Sequence, residues 1–295
     1  MTSQASKHPT TKDLTEAFSA IGLEDGDIVY LSTQLYGMGP LADAPSRLEY
    51  LNAIFGALYS VIGVSGTLVV PTFTQQVGRF GLPFVLEQTE SLTGIFGEYI
   101  RMRSDSIRSL HPVFSVASVG ARSREICGNV SPVAFGADSA FDRMVRMKAK
   151  AVCLGFDYYS GHITSLMHLV ETAFAVPYYY NKLIHSPVFS GGALIEKPYV
   201  INVKYLDLEC RFDFKLYINT LAEAGALRSA DIGRGKVHAV EAAVMFDMGI
   251  ELLKKDIYAF LAHPPRFRKG EIPMDGPSGS ENALNVRNLA GSQLL

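Results

Sequence analysis

The chain has 295 residues, 48% hydrophobic and 19% charged, with 27 basic against 29 acidic side chains and a net charge of −2. This composition belongs to a folded globular protein long enough for a sizeable core; it excludes disorder, and with no basic run or basic-aromatic stripe it excludes general nucleic-acid binding. Cys127, Cys153 and Cys210 stand far apart in apolar surroundings without disulfide or zinc spacing, as in a reducing compartment. Residues 1–10 lack the apolar stretch of a signal peptide, and no window reaches the roughly 18 apolar residues that span a bilayer. The expected protein is cytoplasmic, without membrane or nucleic-acid partners.

Residues 1–10 and 264–295 are poor in large apolar side chains and read as tails around one domain over 11–263. Thr11 is the expected cap of a first helix, whose Leu14, Ala17, Phe18 and Ile21 form an i, i+3, i+4, i+7 stripe ended by Gly22. Gly26 and Asp27 turn the chain into a β-run over 28–32. Ser46 with Glu49 is a capping box, opening a helix that turns Leu48, Leu51, Phe55, Leu58 and Ile62 inward. An apolar strand over 67–71 follows, ended by Pro71. Residues 93–102 read as helical and 113–118 as extended, and Asp138 is the expected cap of a helix carrying Phe141, Met144 and Val145. The next strand covers 151–155; a polar loop over 156–162 and a helical run over 165–171 come after it. Short extended pieces fill 188 to about 214, before a last helix from about Ala239 to Lys255. Strands alternating with amphipathic helices predict an α/β fold, a layered α/β/α sandwich on a mixed central sheet, with short strands and helices added in the C-terminal half. A lobe boundary is expected near 176–190.

Loops that follow strands gather at one edge of such a sheet, where open α/β folds bind ligands. Three qualify here: Ser32-Thr33-Gln34-Leu35-Tyr36-Gly37, Pro71-Thr72-Phe73-Thr74, and 158–165. Each is rich in hydroxyls or glycine, and each could also be an ordinary turn. Arg108, Ser109 and His111 form a compact donor cluster able to hold a phosphate or carboxylate; a buried, backbone-bonded histidine is the alternative. His168 and Glu171 are three apart on a helix and can touch each other or one ligand. An imidazole beside a carboxylate is a sensible general-base pair, although at this spacing it is more often a surface or cap pair. Cys153, inside an apolar strand, reads as inert packing.

Taken in order, several elements resemble the aminoglycoside 3-N-acetyltransferase family. They are Gly26-Asp27-x-Val29, the Gly66-to-Thr74 strand and loop, Thr93-Gly94 with Glu98 and Arg101, Arg108-Ser109-x-His111-Pro112-x-x-Ser115, Phe135-Gly136 with Ser139, and the His168-x-x-Glu171 helix. The resemblance covers roughly 12–262. It implies an enzyme that uses acetyl-CoA to acylate a primary amine by direct transfer in a ternary complex, with no metal. His168 would be the general base, with Glu171 orienting it or meeting the amine. Ser165, where the family usually has threonine, and the amides around Ser32 and Thr33 would face the oxyanion. Ser32, Thr33, Gln34, Leu35, Thr72, Arg108, Ser109 and His111 would line the coenzyme.

Two departures qualify the resemblance. Ser32 stands where the family's His-Ser-Ser-Leu or His-Ala-Ser-Leu begins with histidine. Residues 176–185, from which Tyr178, Tyr179, Tyr180 and Lys182 are expected to meet the acceptor, contain no acid, whereas a polycation calls for carboxylates. Stacked tyrosines beside cationic and amide donors suit a sugar ring or nucleotide better, and partial burial against the core is their other reading. The expected acceptor is therefore an amino sugar, nucleotide-linked or part of a polysaccharide or secondary-metabolite pathway. An aminoglycoside comes second, as in antibiotic resistance, and a non-catalytic ligand-binding relative is the reading from another class. A homo-oligomer is left open.

Overall fold

A computed structural model describes residues 8–156, 164–271 and 273. The calls on residues 1–7, the body of the 158–165 loop and most of the C-terminal tail lie outside them. From the N-terminus run α1 (Thr11–Ala20), β1 (Ile28–Thr33), the four-residue α2 (Leu35–Met38), α3 (Arg47–Ile62), β2 (Thr67–Pro71), α4 (Gln75–Phe80), β3 (Phe84–Val85) and α5 (Ile95–Arg101). The middle of the chain supplies β4 (Ile107–Arg108), β5 (Val116–Gly120), α6 (Ser123–Cys127), α7 (Ala140–Arg146), β6 (Lys150–Leu154) and α8 (Met167–Phe174). The rest is β7 (Tyr179–Leu183), β8 (Val188–Ser190), β9 (Ala193–Leu194), β10 (Val200–Lys204), α9 (Lys215–Glu223), β11 (Arg228–Ile232), β12 (Gly235–Glu241) and α10 (Ala242–Lys255).

Seven strands form the central sheet in the order β11-β12-β6-β1-β2-β5-β4. β6, β1 and β2 are parallel; β12 pairs antiparallel with β6, and β5 with β2, so the sheet is mixed as expected. Its three parallel strands are apolar on both faces because both are covered. Val29, Leu31, Leu68, Val70, Val152 and Leu154 face α1, α3 and α5. Tyr30, Val69, Ala151 and Cys153 face the other way, into a core shared with α7, α8 and α10. The chain leaves β1 for β2 on one side and later returns to β6 on the other. The order therefore reverses between β1 and β6, and their carboxyl ends open the crevice where this class of sheet holds ligands. β7 with β10, and β3 with β8 and β9, make two small sheets packed on the second core.

Several local expectations shift by a residue or more. Thr10, not Thr11, caps α1; its hydroxyl accepts from the Asp13 amide while Asp13 returns a bond to the Thr10 amide. Ser139 caps α7, and Asp138 instead adopts a left-handed conformation and pairs with Arg143. Leu48 is 62% exposed. At about 100° per residue it lies at the margin of the arc that Leu51, Ile54, Leu58 and Ile62 bury. Residues 239–241 belong to β12, not the last helix, because Val237, Ala239 and Val240 are buried against β6. None of the described helices is long and apolar enough to cross a membrane.

Candidate active site

α8 begins just beyond the carboxyl end of β6 and carries the His168/Glu171 pair. His168 Nδ1 lies 2.9 Å from Glu171 Oε2; the imidazole side chain is 30% exposed and the carboxylate fully buried. Tyr178, itself buried, donates from its hydroxyl to the other oxygen, Glu171 Oε1, at 2.9 Å. A carboxylate accepts on both oxygens, so the hydrogen on Nδ1 points to Glu171 and leaves Nε2 as the basic nitrogen. The ring is walled by Phe135 at 5.3 Å and by Tyr179 and Phe212, each at 6.2 Å between centroids. Tyr179 also brings its hydroxyl to 3.3 Å from Nδ1. Burial and the neighbouring carboxylate hold the Tyr179 pKa well above its ordinary value, so it stays protonated.

Beneath this pair, three hydroxyls meet at the β1 carboxyl end. Ser165 Oγ is 2.6 Å from the Tyr30 phenol, which Ser32 also reaches. Tyr30 and Ser32 are two apart on a strand and so share a face. Burial raises the phenol's pKa, keeping it a donor. Sequence reasoning missed Tyr30, although the alternation of β1 from Ser32 would have marked it.

The other predicted residues divide sharply. The predicted loop is a tight junction: Ser32 and Thr33 end β1 and Leu35 opens α2, all three half-buried, with Gln34 exposed between them. Arg108, Ser109, His111 and Thr72 are bound up inside the protein instead. The Arg108 guanidinium donates to the carbonyls of Leu86, Thr89 and Thr72 and to Ser115 Oγ, and burial pulls its pKa down to about 10, still cationic at neutral pH. Ser109 Oγ accepts from the Val116 amide, and the Thr72 hydroxyl meets Ser115. His111 Nδ1 accepts from the amides of Val113 and Phe114, which places its hydrogen on Nε2. Burial lowers its pKa to about 4, so the ring is neutral. A tight segment of buried backbone must satisfy its polar groups somewhere, and these side chains do so. They shape the β2 and β4 ends of the crevice, with four of the five Arg108 N–H donors spent on the protein itself.

The three tyrosines part company: Tyr178 is fully buried and holds Glu171. Tyr180 stacks on Tyr205 at 4.5 Å and 21°. With Lys182 it lines a cavity of about 180 Å³ that also receives Arg79, Phe114 and Lys204 and, among the described residues, no carboxylate. Lys204 Nζ sits 4.2 Å over the Phe212 ring that flanks His168.

A family model described as aminoglycoside 3-N-acetyltransferase matches residues 33–254, three quarters of the chain. The chain belongs to that family. It is 24% identical over 277 residues to aminoglycoside N(3)-acetyltransferase VII of Streptomyces paromomycinus, covering 84% of this chain and 93% of that protein. Among solved structures it resembles AAC-IIIb in binary complex with CoASH, with a TM-score of 0.71 at 19% identity over 88% of this chain and 100% of that one. It also resembles aminoglycoside acetyltransferase AAC(3)-Xa, with a TM-score of 0.69 at 20% identity over 84% of this chain and 93% of that one. The family match begins at Thr33 and runs through β6, α8 and most of α10, so it contains the whole His168, Glu171 and Tyr178 constellation.

Proposed function

We propose that the chain is an acetyl-CoA-dependent N-acyltransferase in which His168 is the general base. The observation that carries this reading is a half-exposed imidazole whose Nδ1 is fixed by a fully buried carboxylate, at the carboxyl edge where the strand order reverses. An ammonium cannot attack a thioester; the nitrogen must first present its lone pair. The neutral amine attacks the thioester carbon, a C–N bond forms, and an N–H proton passes to His168 Nε2. Glu171 stabilises the imidazolium without taking the proton itself. The carbonyl oxygen, now carrying the charge, lies toward Ser165, whose hydroxyl is oriented by the Tyr30 phenol. The intermediate then collapses, the C–S bond breaks, and the leaving thiolate is protonated from His168. The half-buried β1–α2 junction at Ser32–Leu35 fits the approach of a long, neutral pantetheine arm better than the Arg108 cluster, most of whose donors are taken by backbone carbonyls.

The acceptor is a primary amine on an amino sugar, nucleotide-linked or otherwise carrying an anionic group. Arg79, Lys182 and Lys204 around the aromatic cavity, with no carboxylate among the described residues that line it, support that reading over a polycation. Acetylation of an aminoglycoside is the second reading; family membership and the names of the relatives favour it. Thiol release from acetyl-CoA against amino sugars, nucleotide-linked amino sugars and aminoglycosides decides between them. Turnover confined to aminoglycosides would reverse the ranking, and coenzyme binding without turnover of any amine would leave a ligand-binding relative.

A further inference from the structure

An amine attacks a thioester only through a free lone pair, so the charge on the arriving acceptor decides what the site must supply. A basic alkylamine arrives as an ammonium, and taking it out of water calls for a carboxylate within reach. Glu171, the carboxylate beside His168, cannot meet one. Its side chain is fully buried, with Oε2 held by His168 Nδ1 and Oε1 by the Tyr178 hydroxyl. The imidazole is walled instead by the aromatic rings of Phe135, Tyr179 and Phe212. The neighbouring cavity continues this pattern. Phe114 lines it and packs on Phe135 at 5.0 Å between centroids, while Lys204 lines it with Nζ 4.2 Å over the Phe212 ring. Both phenylalanines that flank His168 therefore have a partner in the cavity wall. Arg79 and Lys182 join Lys204 there, and none of the described lining residues is a carboxylate. The volume of about 180 Å³ falls below the roughly 300–1,000 Å³ of sites for drug-sized ligands and suits a single substituted ring.

We propose that the chain also acetylates small aromatic amines that carry an acidic group. An aromatic amine shares its lone pair with the ring and is uncharged at neutral pH, so it needs no carboxylate to receive it. Phe114, Phe135 and Phe212 offer faces and edges against which its ring packs. Its acidic group is drawn to Lys204, whose ammonium is fixed by donating to the Cys210 carbonyl at 3.1 Å. The same cations repel an alkylammonium. The neutral nitrogen forms a C–N bond at the thioester carbon, and one N–H proton passes to His168 Nε2. The C–S bond then breaks, and the coenzyme leaves as its thiol with that proton. The inference rests on the acyl-transfer reading for its chemistry and goes beyond it in the acceptor.

The test is thiol release from acetyl-CoA by the full chain with 4-aminobenzoate, aniline and trans-4-aminocyclohexanecarboxylate, each product identified by mass. The last has the same acid and a similar length, but its amine titrates near the lysine value of about 10.4 and is almost wholly ammonium at pH 7. 4-Aminobenzoate should be acetylated with kcat/KM about 10-fold or more above that of aniline, the worth of one charge-assisted contact. Relative to 4-aminobenzoate, the cyclohexane acid should be the poorer substrate at pH 7 and gain about 10-fold by pH 8, as free amine accumulates. Lys204→Met should erase most of the preference for 4-aminobenzoate over aniline, a ratio that general damage to the enzyme does not move. A cyclohexane acid that turns over faster at pH 7 overturns the inference, and so does a preference over aniline that survives Lys204→Met. No acetylation of 4-aminobenzoate, beside turnover of an amino sugar, overturns it and leaves acyl transfer standing. Coenzyme binding without turnover of any amine overturns the acyl-transfer reading and this inference together.

Discussion

His168 draws its chemical character from its neighbours. Glu171 fixes one nitrogen, Phe135 and Phe212 flank the ring, and the side chain keeps 30% exposure. His168→Ala should lower kcat on the order of 100-fold or more while coenzyme binding persists, a split that single-turnover kinetics and calorimetry would separate. A loss of only a few-fold would remove it from the role of base. Tyr178 tests the layer beneath. Tyr178→Phe keeps the ring and removes the donor to a fully buried carboxylate oxygen, a hydrogen bond to a charged group worth about 1.5–3 kcal/mol. Urea denaturation should show a loss of that order, and kcat should fall with it as Glu171 loosens. Unchanged stability and rate would mean that the carboxylate has another partner on that side.

At the scale of elements, the crevice depends on three backbones meeting at the ends of β1, β6 and β12. A Cβ built on Gly37 would overlap the Gly155 carbonyl, and one built on Gly155 would overlap the Gln34 carbonyl. Gly155 also has φ of +79°, in the left-handed region that costs other residues about 1–2 kcal/mol. Gly192 has the same φ but open space around it. Gly155→Ala should therefore lose about 2 kcal/mol or more in denaturant titration, clearly more than Gly192→Ala, and should displace the Ser32–Leu35 loop enough to cut turnover. Equal losses at the two positions would show that the close approach is soft. The strands and helices themselves were legible. The α3 capping box, the α1 stripe and the apolar β2 and β6 runs express local patterns of period 3.6 or 2. β11, β12 and α9 were not, because Lys236, His238 and Glu241 interrupt the apolar pattern of β12, and only pairing with β6 makes it a strand.

Across the whole molecule, His111 ties the central sheet to the small β7–β10 sheet. Its ring packs edge-on against Tyr199 at 5.6 Å, and its Nε2 faces the Val200 carbonyl. Because burial lowers its pKa to about 4 from an ordinary 6.5, the unfolded chain binds a proton there before the folded one does. Its contribution is whole above about pH 6.5 and is lost as pH falls from there toward 4, about 3 kcal/mol in all. Unfolding free energies at pH 7, 6 and 5 should show that decline. His111→Asn, whose amide oxygen can accept in place of Nδ1, should flatten it, and a slope unchanged by the substitution would assign the titration elsewhere.

By itself, the sequence determined the fold class, the family and the contact between His168 and Glu171. Each is written in residues close together in the chain, where a periodic pattern or an i, i+3 spacing is enough. Only the tertiary structure decided which polar residues remain available for chemistry. Arg108, His111 and Tyr178 have the composition of a binding site, but Arg108 and His111 meet carbonyls 22 and 89 positions away, and Tyr178 turns inward onto the buried Glu171 carboxylate. Whether a donor faces a ligand or a carbonyl of its own protein depends on what packs beside it, and packing brings together residues that no local spacing relates.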